Sequence, residues 1–88
     1  MRLTILAYWK PFSEGDEDQF LKIAGLVAHV YDMETDWSWD VFVTREYGLP
    51  GRRIGHGKVV TTSAWAACRI AAKTAAEDFI RNYLKGQQ

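Results

Sequence analysis

Apolar residues along this chain change period once. Up to residue 60 they alternate with polar ones in short runs, and from Thr61 onward they recur every three or four positions. Trp65, Cys68, Ala72, Ala75, Ala76, Phe79 and Tyr83 share one helical face, while Ile70, Lys73, Thr74, Glu77, Arg81 and Lys85 point elsewhere. The run 61–85 holds no Gly or Pro and is rich in alanine, the best helix former. Thr61, Thr62 and Ser63 offer N-cap hydroxyls, and Gly86 can close the far end. The spacing predicts a long amphipathic helix with small residues at its centre and aromatics at its ends.

The alternating part reads as strands and turns. Leu3, Ile5, Ala7 and Trp9 line one side of a strand over 2–9 that Pro11 stops, and an acidic loop follows over 12–18. Residues 19–24 fit helix or strand: Phe20, Ile23, Ala24, Val27 and Val30 have helical spacing, but Gly25 interrupts it. A strand is expected over 25–31, then a turn over 32–36. Next comes a strand with Trp37, Trp39, Val41 and Val43 inward and Ser38, Asp40, Phe42 and Thr44 outward. Tyr47-Gly48-Leu49-Pro50-Gly51 is a turn signal, and a further strand over 52–60 leads into the helix. Its Gly55 and Gly57 share a face, where the helix backbone is expected to approach most closely. The fold class expected is α+β: an antiparallel sheet of three to four strands, one face covered by a long C-terminal helix (β-β-β-β-α), the other partly exposed.

Composition narrows the function classes. Eighty-eight residues, 48% of them apolar and four of them tryptophan, make one domain with a real core, expected over 1–88 with a frayed tail at 86–88. Net charge is zero, unlike that of a protein that coats nucleic acid. No apolar run reaches the ~20 residues of a membrane span, and no signal peptide is evident, so a soluble, cytoplasmic protein is expected. The zero hides an asymmetry. Glu14, Asp16, Glu17, Asp18, Asp32, Glu34, Asp36 and Asp40 crowd residues 13–40, and Arg45, Arg52, Arg53, Lys58, Arg69 and Lys73 crowd 41–73. An acidic side and a basic side would steer charged partners.

Catalytic chemistry finds little support. The only formal nucleophile–base pair is Cys68 with His29 or His56, and Cys68 falls on the buried helical face. The two histidines lack neighbours at metal-ligand spacing, and Asp16-Glu17-Asp18 sits in no calcium-loop pattern. Gly55-His56-Gly57 lacks the rest of a phosphate-loop or dinucleotide motif. No catalytic residue, metal or cofactor is therefore expected. Two candidate binding sets remain. One is acidic: Glu14, Asp16, Glu17, Asp18, Glu34 and Asp36. The other is basic and aromatic: Tyr47, Arg52, Arg53, His56 and Lys58.

Two resemblances bear on these sets. The strand–strand–strand–helix order from Leu26 to Leu84, with Gly55-x-Gly57 and Ala71-Ala72-Lys73-Thr74-Ala75-Ala76, resembles the C-terminal part of a double-stranded RNA-binding domain. That family grips phosphates through a Lys-Lys-x-Ala-Lys motif. Ser63-Ala64-Trp65-Ala66-Ala67 stands there instead, without a lysine, so the resemblance carries topology only. In size, Trp-rich hairpin and alanine-rich last helix, the chain also resembles small phage and prophage proteins of the anti-CRISPR inhibitor type. This implies a non-enzymatic protein-binding module that inhibits a host nucleic-acid machine such as a CRISPR-Cas complex.

The function expected is surface binding of a host protein or protein complex, with carboxylates standing in for phosphates. The rival is nucleic-acid binding through Arg52, Arg53, His56, Lys58 and Lys73, and a homodimer is compatible with either. Under the acidic reading, reversing Asp16, Glu17 and Asp18 to lysine weakens capture of the partner from a host lysate; undiminished capture contradicts it.

Overall fold

A computed structural model describes residues 9–12, 18–46, 49–60 and 65–86 of the chain, with the backbone alone at 65–66. Among the described residues five strands precede one helix: β1 (Lys10–Pro11), β2 (Gln19–Ile23), β3 (Leu26–Asp32), β4 (Asp36–Thr44), β5 (Pro50–Val60) and α1 (Trp65–Gly86). The strands form one antiparallel sheet in sequence order. The α+β class and the single covering helix are as expected, with five strands in place of three to four. The strand expected over 2–9 and the cap at Thr61, Thr62 and Ser63 lie outside the described residues. So does the side chain of Trp65.

Three local features depart from expectation. Pro11, read as a stop, pairs with Gln19 in β1, where an edge position needs no donor from it. The ambiguous segment 19–24 is β2 plus the start of a two-residue turn. Ala24 and Gly25 take φ values of 50° and 77°, so both central residues are left-handed, as tight hairpins of right-twisted strands require. Thr44 ties this turn to the end of β4, donating both its N–H and its hydroxyl to the Gly25 carbonyl at 2.9 and 2.8 Å. Finally, Gly86 is the last residue of the helix and is not left-handed.

The period-two pattern decides which residues meet the helix. Leu21, Leu26, Ala28 and Val41 bury against Ala76 and Ile80 of α1, while Val30 and Trp37 bury against Cys68 and Ala72. Trp39 and Val43 pack on the same side, as their alternation with Trp37 and Val41 predicts. Ile80, absent from the predicted apolar face, is fully buried; it completes the spacing Cys68, Ala72, Ala76, Ile80. Trp9 leans on both clusters. Its indole N–H donates to Glu77 at 3.0 Å, and the Lys73 ammonium stands 5.8 Å from its ring centre.

The glycines of β5 serve aromatic rings rather than the helix backbone. A Cβ on Gly55 would stand 2.6 Å from the Phe79 ring, and one on Gly57 would stand 2.5 Å from the Trp39 indole. Trp39 and Phe79 touch with centroids 5.9 Å apart, and Phe79 stacks on Tyr83 at 6.4 Å. Two bare positions on β5 thus let this aromatic layer lie flat on the sheet. Gly55→Ala should lower stability by about 1–3 kcal/mol through overpacking, read as a lower urea midpoint at unchanged slope. Phe79→Leu in the same chain should recover part of the loss. An unmoved midpoint for Gly55→Ala contradicts the packing described.

Candidate binding face on the uncovered side of the sheet

Residues alternating with the core ones are forced to the side that α1 does not cover. Cross-strand pairs place Lys10 beside Phe20, Phe20 beside His29, His29 beside Asp40 and Asp40 beside His56. One step along lie Lys22 with Val27, Val27 with Phe42, and Phe42 with Arg53; one step the other way lie Tyr31 with Ser38, and Ser38 with Lys58. The irregular stretch between β4 and β5 brings Arg53 into this set, since the register skips Ile54 between Gly55 and Arg53. Ile54 turns to the core instead.

An aromatic row crosses the face. Phe12 contacts Phe20 at 5.3 Å and His29 at 5.1 Å, and His29 contacts Phe42 at 5.2 Å between ring centres. The rings shield Val27, which is 2% exposed despite lying on the side away from the helix. Phe12, at the outer end, is 48% exposed. The Lys22 ammonium stands 5.8 Å from the Phe20 ring centre. Burial among these rings holds the His29 imidazole below its ordinary pKa, against the opposing pull of Asp40.

Beside the row sits one polar knot. The Tyr31 hydroxyl donates to Asp40 at 2.5 Å, and Arg53 donates to the other carboxylate oxygen at 3.4 Å. Asp40 is buried, whereas the Arg53 side chain is 54% exposed, so most of its guanidinium faces solvent. The hydrogen bond to Asp40, with burial and the carboxylate charge added, pushes the Tyr31 phenol up to about 12.

The basic strand therefore delivers Arg53, His56 and Lys58 to one face. Arg52 is exposed within the irregular stretch without a register partner, and Tyr47 lies outside the described residues. Lys73 is not brought to this set: it lies on α1 against Trp9, in the other layer. Of the acidic set, Glu14, Asp16 and Glu17 lie outside the described residues. Asp18, Glu34 and Asp36 gather with Asp32 around the β3–β4 turn, where Asp18 and Asp32 hold backbone N–H groups and Asp36 holds a hydroxyl. Asp18 accepts the Asp32 N–H at 3.0 Å, Asp32 accepts the Glu34 N–H at 2.8 Å, and Asp36 accepts the Ser38 hydroxyl at 3.0 Å. Glu34 takes φ 71°, a strained turn position that its N–H bond to Asp32 supports. The acidic and basic sides expected from the sequence are thus partly interleaved, since Asp40 pairs with Arg53.

Phe42 points outward as its alternation with Val41 and Val43 predicts, but the row it belongs to is spread over separate strands. Phe20, His29 and Phe42 all occupy outward positions of consecutive strands, and that coincidence was the available signal. Cys68 is buried under the helix, with its thiol 3.6 Å from the Val60 carbonyl oxygen, and the sheet separates it from both imidazoles. Among the described residues no group of three His, Cys, Asp or Glu could hold a metal ion, and no helix is long and apolar enough to cross a membrane. The chain matches no protein-family model, no curated protein and no solved structure.

Tyr31 offers a direct check of the polar knot. Because its folded pKa lies above the unfolded 10.0, the folded state keeps a proton that the unfolded state releases between pH 10 and 12. Stability should therefore fall as pH rises through that window, and one phenolate should appear in ultraviolet titration only near pH 12. Asp40→Asn should return it toward the ordinary tyrosine range. A wild-type titration in which every tyrosine ionises near pH 10 contradicts the knot.

Proposed function

We propose that this protein is a non-enzymatic binding module whose ligand is a single-stranded nucleic acid held on the uncovered face of the sheet. The observation that carries this reading is the meeting of the aromatic row with cations on one surface. Lys10, Lys22, Arg53 and Lys58 surround Phe12, Phe20, His29 and Phe42, and the buried carboxylate among them, Asp40, is paired with Arg53. Single strands are gripped by this combination: cations follow the phosphates, and unstacked bases lie on aromatic rings whatever their sequence. A duplex hides its bases and would use the cations alone, so single strands are the better fit. The neutral net charge is compatible because four of the eleven acidic side chains, Asp18, Asp32, Glu34 and Asp36, gather around the β3–β4 turn. Like charges on the face also disfavour its self-association into a homodimer.

A second reading keeps the protein partner. Asp18, Asp32, Glu34 and Asp36 converge around one turn, and carboxylates there could occupy the basic groove of a nucleic-acid-handling protein. Three of the four are engaged in local hydrogen bonds, which favours a turn-forming role and ranks this reading second.

Fluorescence anisotropy with labelled mixed-sequence single-stranded RNA and DNA, and with the matching duplexes, tests the first reading at two salt concentrations. Binding in the range of about 1–100 µM that weakens with salt is expected, tighter for single strands. Phe42→Ala should cost about 1–3 kcal/mol of binding, and Arg53→Glu with Lys58→Glu should lower both affinity and salt slope. No salt-sensitive binding, or affinity unmoved by these changes in folded variants, removes the reading.

A further inference from the structure

His29 is the one titratable group inside the aromatic row, and its place there has a consequence for any anionic ligand. Its ring is clasped between Phe12 and Phe42, at 5.1 and 5.2 Å, and pairs across β2 and β4 with Phe20 and Asp40. The charged and titratable groups facing it are Lys10 from β1, Lys22 from β2, Tyr31 from its own strand, Asp40 from β4, and Arg53 and His56 from β5. Asp40 is the one carboxylate among these, and it is already shared between Tyr31 and Arg53.

The geometry points to a proton-coupled binding face: His29 takes up a proton when a single-stranded nucleic acid occupies the aromatic row, so that affinity rises as pH falls. This deepens the proposed function and rests on it. In the free protein the rings desolvate the imidazole and keep it neutral at neutral pH. A phosphate laid along Arg53 and the row adds its negative charge to that of Asp40, which is shared with Tyr31 and Arg53, and favours the protonated ring. The sign is fixed by linkage. A proton bound more tightly in the complex strengthens binding below the bound-state pKa and leaves it unchanged well above. Free-protein stability moves the other way. A histidine held below its unfolded value of 6.5 makes the folded state lose stability as pH drops under 6.5, and ligand should reverse that loss.

The probe is a labelled mixed-sequence single-stranded oligonucleotide, its affinity measured at pH 7.5 and 5.5 at constant ionic strength. A rise of about tenfold is expected for each unit by which the ligand raises the His29 pKa. His29→Phe keeps a ring between Phe12 and Phe42 but cannot titrate, and should abolish most of the rise. His56→Gln, which removes the other imidazole on the face, should leave most of it intact. Proton NMR of the His29 ring should show its pKa below 6.5 in the free protein and raised in the complex. Equal affinity at both pH values, or a rise that survives His29→Phe and vanishes in His56→Gln, overturns the coupling while leaving the binding reading in place. Absence of binding at both pH values overturns both.

Discussion

The structure depends on flat aromatic packing over two bare backbone positions. Gly55 and Gly57 leave no Cβ on the core side of β5, and the Phe79 ring and Trp39 indole occupy the space a Cβ would need. Without that room, Phe79 and Trp39 would hold α1 away from the sheet. With it, Ala72, Ala76 and Ile80 descend to full burial. Close packing of this kind tolerates little change in volume, because protein interiors are filled to near-crystalline density. The register that presents these glycines is set by the β4–β5 pairing, which brings Val41 to Gly55 and Trp39 to Gly57.

Seating the helix on one side assigns the other side by elimination. In a strand, successive side chains point to opposite faces, so each residue committed to α1 sends its neighbours outward. Phe20, His29, Phe42, Arg53, His56 and Lys58 are together because Leu21, Ala28, Val41 and the β5 glycines are needed in the core. The outward rings shelter Val27, which makes the face ordered rather than merely exposed. Asp40 anchors its polar half, taking the Tyr31 hydroxyl and one arm of Arg53 while leaving the rest of the guanidinium free to act.

Much of the architecture was legible in the sequence. The helix, the strands at 25–31, 37–44 and 52–60, and the inward set Trp37, Trp39, Val41 and Val43 all follow from periodicity, which packing here reinforces. Where structure and periodicity differ, the cause is physical. Residues 19–24 carry helical and strand spacing at once, and the choice is made by the Ala24–Gly25 turn pairing Ile23 with Leu26. The spacing of Gly55 and Gly57 marks a place of close approach, but spacing alone does not say whether backbone or ring arrives there. The uncovered face was half legible. Its basic strand could be read as a run, whereas its aromatic row is assembled from three strands and the Phe12 segment, and becomes visible only once register is known. Lys73 joined the basic set in sequence and left it in space, since it lies on the helix.

The central claim is a division of labour between the two faces of one sheet, and chemical-shift mapping of the labelled protein tests it most directly. On titration with a single-stranded oligonucleotide, the account predicts perturbations at Phe20, His29, Phe42, Arg53, His56 and Lys58, with the amides of Ala72, Ala76 and Ile80 unmoved. Perturbations confined to α1, or to the turn that holds Asp32 and Glu34, would contradict it.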